Sequence, residues 1–318
     1  MSHPLLVHPS RAAHIPRSLD NTALDLYMTC PRKYFYAMVL NRRKTGLTKP
    51  ALAYGSCWHK ILETHYKSGG DADLVRVAAI TSWQEHDNPE DHRTVERALS
   101  SYEQYVARWG EHDKEVQGWG RTVGYPAAPM VEIATELSWP GALHPYTGKI
   151  DRIFEHQGLY FVEDHKSSSA LGAYYFSQFD PSNQMMGYAW LAQLVSGHPI
   201  AGVRINAHGV LKTMSKFERQ TVSFSPERLT EWGANLNAWV RRIDKSMAMI
   251  EFVTPPPEET LLTAFPHNFN ACAGKYGQCV YTDVCTMPAR LRNKVLEADF
   301  SEFPWNPLDP TGEEDSSV

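Results

Sequence analysis

What the chain lacks narrows it first. Over 318 residues, no segment reaches the roughly 18 consecutive apolar residues of a membrane-spanning helix. Met1 to His8 carries no sustained apolar run of the kind a secretory leader needs, so a cytoplasmic location is expected. No phosphate loop of the pattern G-x-x-x-x-G-K-[ST] is present, which excludes a self-contained nucleotide-driven motor, and no internal repeat points to a solenoid. Positive charge is not in excess: 31 Lys and Arg against 36 Asp and Glu leave a net charge of -5. Contact with a nucleic acid must therefore come from local cationic clusters rather than from the field of the whole surface. Cysteine is scarce, with five in all, and in a reducing compartment such residues serve metal ligation more readily than disulfides.

A hydrophobic content of 42% supports a substantial core, enough for one large α/β domain with insertions or for two domains. Residues 1–17 mix His, Pro and Arg without periodicity and read as disordered, as does an acidic tail over 291–318. Residues 18–128 read as a helical region. Ser18 or Asn21 can cap a helix through Leu40, and helices follow over Leu52 to Tyr66, 71–85 and 93–108. Residues 129–250 read as an α/β core. Strands are expected over Val131 to Trp139, Tyr146 to Phe154 and Leu159 to Lys166. A helix from Asn183 to Val195, strands at Val203 to Leu211 and Phe217 to Phe224, and a helix from Pro226 to about Ile250 complete it. Strands apolar on both faces, such as Leu159 to Val162, imply helices on both sides of a sheet. A cysteine-bearing segment follows over 251–290, in which Pro255, Pro256 and Pro257 break the chain ahead of the cysteines.

Chemistry concentrates between Gly148 and Lys166. Gly148-Lys149-Ile150-Asp151 opens one apolar segment and Asp164-His165-Lys166 closes the next. If Gln157-Gly158 is a two-residue hairpin loop, His156 pairs with Leu159, and the antiparallel register places Asp151 opposite Asp164. Directly paired residues have Cβ atoms about 5 Å apart, close enough for both carboxylates to hold one divalent cation, and Lys166 points to the same spot from two residues further on. Glu163 is sent to the opposite face by the two-residue strand period. Upstream, His59 and Glu63 share a helix face one turn apart, with Gly55 leaving room for another group beside the imidazole. Cys57 on the same helix reads as a buried thiol. Gln184 and Tyr188 stand one turn apart on a helix apolar nearly all round, where a glutamine needs a partner. Cys272, Cys279 and Cys285 form C-x6-C-x5-C, and Cys30 before Pro31 is a fourth candidate ligand. Four thiolates suit a [4Fe-4S] cluster or a tetrahedral zinc, and spacing alone does not choose between them. The cationic clusters are Arg32-Lys33, Arg42-Arg43-Lys44 with Lys49, and Arg241-Arg242.

Taken together these segments resemble the RecB-type exonucleases of the PD-(D/E)xK nuclease superfamily, in particular the iron-sulfur branch with AddB-type, CRISPR-associated and phage nucleases. The resemblance runs from about residue 18 to 286. Leu24 to Tyr34 is similar to the first cluster-cysteine segment and Gly55 to His59 to the metal-binding histidine motif. Gly148 to Asp151 and Asp164-x-Lys166 are similar to the two acidic motifs, and Gln184-x-x-x-Tyr188 to the last nuclease motif. The six residues between Cys272 and Cys279 depart from the shorter spacing usual there. The resemblance implies a restriction-endonuclease-like α/β core, a mixed sheet flanked by helices, with a cluster joining the N-terminal helices to the C-terminal segment. It implies a metal-dependent DNA nuclease, an exonuclease in particular, with Mg2+ or Mn2+ held by His59, Asp151 and Asp164, and with Lys166, Gln184 and Tyr188 completing the catalytic set. Cys30, Cys272, Cys279 and Cys285 would bind the cluster. Arg32, Lys33, Arg42 and Arg43 would track single-stranded DNA or duplex ends, and a helicase, recombination or CRISPR protein would be a partner. The alternative is a non-catalytic DNA-binding or partner-recruiting module of the same fold.

Overall fold

The computed structural model describes residues 19–46, 48–116, 130–138, 144–250, 256–274 and 277–307. The segment 1–17 and the end of the acidic tail, both expected to be disordered, lie outside the described residues.

The chain enters through α1 (Asn21–Thr29), whose N-cap is Asp20 rather than Ser18 or Asn21: its carboxylate accepts the Ala23 N–H at 2.8 Å. The helix expected to run to Leu40 stops at Thr29, because Pro31 disfavours helical backbone at Cys30, which is extended at φ -160° and ψ 110°. A short α2 (Pro31–Tyr34) then continues into one π-helical turn, Phe35–Val39. After β1 (Arg42–Lys44) come α3 (Pro50–Ser68), α4 (Ala72–Ser82) and α5 (Val95–Val116). The sheet strands are β2 (Val131–Leu137), β3 (Tyr146–His156) and β4 (Leu159–Ser168), then, after α6 (Asn183–Ser196), β5 (Ile200–Val210) and β6 (Ser215–Val222). The long α7 (Pro226–Ile250) leads to α8 (Glu258–Ala264), the two-residue strands β7 (Ala273–Gly274) and β8 (Gly277–Gln278), α9 (Thr282–Thr286), α10 (Ala289–Asp299) and β9 (Phe300–Glu302).

Strands β2 to β6 form one five-stranded mixed sheet in sequence order, antiparallel except for the β4/β5 pair, which the α6 crossover makes parallel. A mixed sheet flanked by helices is the α/β architecture expected from the strand and helix pattern, and it is consistent with the restriction-endonuclease-like core that the resemblance implies. The β3–β4 hairpin turns at Gln157 and Gly158, with φ of 52° and 80°. Two left-handed residues suit the natural twist of a hairpin, and glycine adopts the second without strain. Its register runs from His156↔Leu159 to Arg152↔Glu163. Two apolar clusters flank the sheet: one built from α1, α6, α7 and the C-terminal segment, the other from α3, α4 and α5.

The tail is shorter than the pattern suggested. Residues 289–302 are folded as α10 and β9, and β9 pairs antiparallel with β1 from Arg42↔Glu302 to Lys44↔Phe300. Two apolar anchors account for this: Leu296 and Phe300 are both buried, and Phe300 stacks on Tyr281 at 5.1 Å. Among the described residues, no helix is long and apolar enough to cross a membrane.

In the second cluster His208 lies against Trp58 and Phe217, with ring centroids 4.3 and 4.8 Å away, and neither imidazole nitrogen has a hydrogen-bond partner. Burial, with the charge of Arg97 adding, pushes its pKa down to about 3. The folded state thus requires neutral imidazole, whereas the unfolded chain takes up a proton near pH 6.5. The stability involved is complete above that value and is lost as pH falls toward 3. His208→Phe should therefore lose less of its urea midpoint between pH 7 and pH 5 than the parent protein does. An equal loss in both proteins would contradict a neutral buried imidazole.

Candidate metal centre

The β3–β4 ladder runs as far as Arg152↔Glu163, and the next residue outward on each strand is an acid, Asp151 and Asp164, both buried, at 6% and 1% exposure. Here the strands part: the His165 N–H donates to Asp151 Oδ2 at 2.6 Å, a side-chain carboxylate taking a strand amide as its bond. On the other side of β3, the ladder with β2 runs through Val131↔Arg152 and Ile133↔Ile150. The residue between, Glu132, stands opposite Asp151 with φ 54°, in the left-handed region that a glutamate rarely enters. Three neighbouring strands thus contribute one carboxylate each to a row across the sheet.

Helix α3 brings the histidine. A Cβ at Gly55 would lie 3.3 Å from Ser167 Oγ, so the missing side chain lets α3 settle against the end of β4. His59 Nδ1 then lies 3.4 Å from Asp151 Oδ1. Among the described residues, His59, Glu132 and Asp151 are the group of His, Cys, Asp and Glu whose ligand atoms all fall within 4.8 Å of one another. Glu63, the neighbour of His59 on the helix, is held by Lys60 at 2.9 Å and Lys67 at 2.7 Å. Lysines flank the acid row at both ends: Lys149 pairs with Glu132 at 2.5 Å, and Lys166 donates to Asp164 Oδ1 at 3.0 Å.

The acids are electrostatically unlike. Burial acts to raise Asp151, but His59, through charge and hydrogen bond, and then His165 and Lys166 outweigh it and hold the carboxyl below its usual range. Burial raises Asp164 to about 6 against the pull of Lys166, with the Asp151 charge adding to the rise. Glu132 is also raised, by burial and by Asp151, with Lys149 opposing. Carboxylates facing one another in a poorly hydrated place repel, and a cation among them relieves that repulsion. Carboxylate oxygens with one imidazole are donors suited to Mg2+ or Mn2+.

Behind the row lies a charged interior that the sequence did not announce. Glu163, on the opposite face as expected, is fully buried between Arg152 and Arg204 and accepts a hydrogen bond from Tyr66 Oη at 3.2 Å. Asp113, also fully buried, is bound by Arg219 through two contacts of 2.7 and 2.8 Å. His165 joins this layer to the acid row: its ring stacks on Tyr66 at 5.9 Å while its amide holds Asp151.

Gln184 and Tyr188 find each other, Gln184 Nε2 donating to Tyr188 Oη at 3.1 Å. A Cβ at Gly148 would meet Leu191 Cδ1 at 2.6 Å and Tyr188 Cε1 at 3.3 Å, so α6 lies directly on the motif that carries Asp151. Gln184, Tyr188, Gly148 and Lys149 line one cavity with Asp20 and Trp305.

The cysteines gather from both ends of the described chain. Cys30 Sγ accepts the Asn268 N–H at 3.4 Å, and the Cys279 N–H donates to the Cys272 carbonyl at 2.9 Å. Burial, then Cys279 and Cys30, raise the thiols of Cys272 and Cys285, the latter to about 11. Cys57 stands apart as the buried thiol expected of it, 3.6 Å from the Ala79 carbonyl.

Of the expected DNA-tracking cations, two are interior. Arg32 is fully buried, pairs with Glu258 at 3.0 Å and donates to the Phe265 carbonyl. Arg43 is buried with its guanidinium over Trp305, 5.3 Å from the ring centroid. Both correct the sequence reading, which could not tell which side chains of these clusters turn inward. Lys33 and Arg42 are half-buried, and Lys33 lies beside Cys30 and Cys279. Glu132 was the residue the sequence reading missed. Its strand carries two acids, Glu132 and Glu136, and nothing local to the sequence singles out the first.

The family model described as the PD-(D/E)XK nuclease superfamily matches residues 20–286. Twenty-one chains of solved structures match. One, described as the crystal structure of SSO0001, is 12% identical and covers 67% of this chain and 82% of that chain with a TM-score of 0.25, a likeness that carries no argument here. No curated protein matches significantly.

Proposed function

Because the chain belongs to the PD-(D/E)XK nuclease superfamily, we propose that it is a metal-dependent DNA nuclease acting as an exonuclease, with residues 129–250 as its nuclease core. The observation that carries this reading is the convergence of His59 and Asp151 beside an Asp164–Lys166 pair at the mouth of one hairpin. His59, Asp151 and Asp164 hold the cation. Mg2+ or Mn2+ bound there supplies the charge that polarises a phosphodiester and lowers the pKa of a bound water toward neutrality. The chain does the rest. Lys166, steadied on Asp164, orients the attacking water by a hydrogen bond. Gln184 and Tyr188 present an amide and a phenol from α6 toward the strand being cut, and the half-buried Lys33 and Arg42 contact its phosphates.

The test is cleavage of end-labelled single- and double-stranded DNA with Mn2+, Mg2+ or chelator. Cation-dependent loss of nucleotides from an end is expected. No cleavage under any of these conditions would sink the proposal.

Cys30, Cys272, Cys279 and Cys285 are proposed to hold a [4Fe-4S] cluster that ties α1 and α2 to the C-terminal segment. What supports it is that Cys30 and Cys272 both contact the backbone of Asn268, at 3.4 and 3.9 Å, while the Cys279 N–H donates to the Cys272 carbonyl. Purified anaerobically, the protein should be brown and contain iron, and Cys285→Ser should lose both properties. A colourless protein with stoichiometric zinc would assign the thiols to zinc instead.

A further inference from the structure

The acid row has one member that neither the hairpin register nor the proposed set of ligands uses. Glu132 stands between the registered pairs Val131↔Arg152 and Ile133↔Ile150, directly opposite Asp151. It also belongs, with His59 and Asp151, to the group of donors within 4.8 Å of one another. Asp164, the partner of Asp151 on the other side, lies outside that group. We propose that Glu132 is a side-chain ligand of the catalytic cation, so that β2, β3 and β4 each contribute one carboxylate and α3 the imidazole. This inference rests on the nuclease reading and adds a ligand to it.

Two observations make a role confined to structure a poor account of Glu132. Three carboxylates in a transverse row are mutually repulsive, since like charges on directly paired strand residues destabilise a sheet. Among the described residues Lys149 and Lys166 pair with the acids at the row's two ends, and His59 meets Asp151 between them. In addition, Glu132 holds a left-handed backbone at φ 54° inside a strand. Non-glycine residues held there are strained and gather at functional sites. The departure takes this one residue out of the ladder while its neighbours on both sides remain paired.

Lys149 gives Glu132 a second identity that the experiment must separate, because an acid whose sole task is to pair with that lysine would not affect a metal ion. Mn2+ binding is therefore measured directly, by calorimetry and by electron paramagnetic resonance of free Mn2+, on the full chain without DNA. Glu132→Gln should weaken Mn2+ binding by at least about 10-fold, the smallest effect expected even for loss of a group that only supports a ligand, and leave thermal unfolding of the metal-free protein nearly unchanged. Glu136→Gln, further along the same strand, should bind as the parent does. Should Glu132→Gln fail to fold, Glu132→Asp keeps the carboxylate on a shorter arm and should still bind Mn2+ more weakly. Lys149→Met separates the two roles, since removing a neighbouring positive charge should hold or tighten Mn2+ binding if Glu132 is a ligand. Parent-like Mn2+ affinity in the Glu132 variants overturns the assignment while leaving the nuclease reading intact. Failure of the parent protein itself to bind Mn2+ would instead bring down the nuclease reading beneath it.

Discussion

Lys166→Ala is expected to lower single-turnover DNA cleavage by about 1,000-fold at saturating Mn2+ while the protein stays folded. The expectation follows from where the ammonium sits. It is one-quarter exposed at the end of β4 and bound to Asp164 at 3.0 Å, on the side of the hairpin where the acid row opens. A partly exposed ion pair contributes about 1 kcal/mol or less to stability, so the melting temperature should move little. Positioned proton-handling and charge-stabilising groups, by contrast, contribute about 100- to 10,000-fold to rate. Measuring Mn2+ affinity on the same variant separates two origins of the defect. A rate loss with parent-like Mn2+ binding assigns Lys166 to the attacking water and the phosphate. A rate loss that tracks lost Mn2+ binding would make it a support of the metal ligands. Asp164→Ala should lose cleavage as well, and unchanged cleavage in either variant would contradict the catalytic reading of the hairpin.

The largest stability effect is expected one residue earlier. Glu163→Gln should destabilise the fold by about 3–5 kcal/mol, a fall of roughly 10 °C in melting temperature for a chain of this size. Glu163 is fully buried and is the shared counter-ion of Arg152 and Arg204. Each guanidinium also lies over an aromatic ring: Arg152 over Tyr66 at 3.9 Å and Arg204 over Phe154 at 4.0 Å. Removing the acid leaves two charges in a place they can neither leave nor share with water. The pH dependence has a definite sign. Burial acts to raise the Glu163 carboxyl, but Arg204, Arg219 and Arg152 hold it well below its usual value. A depressed carboxyl contributes stability that is complete above the unfolded pKa, about 4.5 for Glu, and is lost as pH falls toward the folded pKa. The gap between Glu163→Gln and the parent should therefore be full at pH 7 and narrow steadily below about pH 4.5. A variant within 0.5 kcal/mol of the parent at pH 7 would refute the counter-ion role.

Much of the hairpin was legible because its determinants are local. Gln157 and Gly158 specify the turn, a two-residue turn specifies the register, and the register sets Asp151 against Asp164. The strand period likewise separated Glu163 from the acid row, and helix spacing paired Gln184 with Tyr188. Where a feature depended on distant chain, the reading stopped short. Arg32 and Lys33 are neighbours in one cationic pair, yet Arg32 turns toward Glu258 and the Phe265 carbonyl more than 200 residues away in sequence. Phe300 anchors a segment of tail-like composition because Tyr281 is there to receive it.

Sequence alone determined most of the sheet strands and the two-acid hairpin, since periodicity and turn chemistry act over a few residues. Only the tertiary structure decided that Glu132 joins the acid row. No short hairpin loop joins β2 to β3 and fixes their register from sequence; the structure pairs Val131 with Arg152 and Ile133 with Ile150, which brings Glu132 beside Asp151. It also decided that three arginines and two acids form a buried layer behind the site. A charge can be interior only where a partner from elsewhere in the chain meets it, and that meeting is a property of the fold.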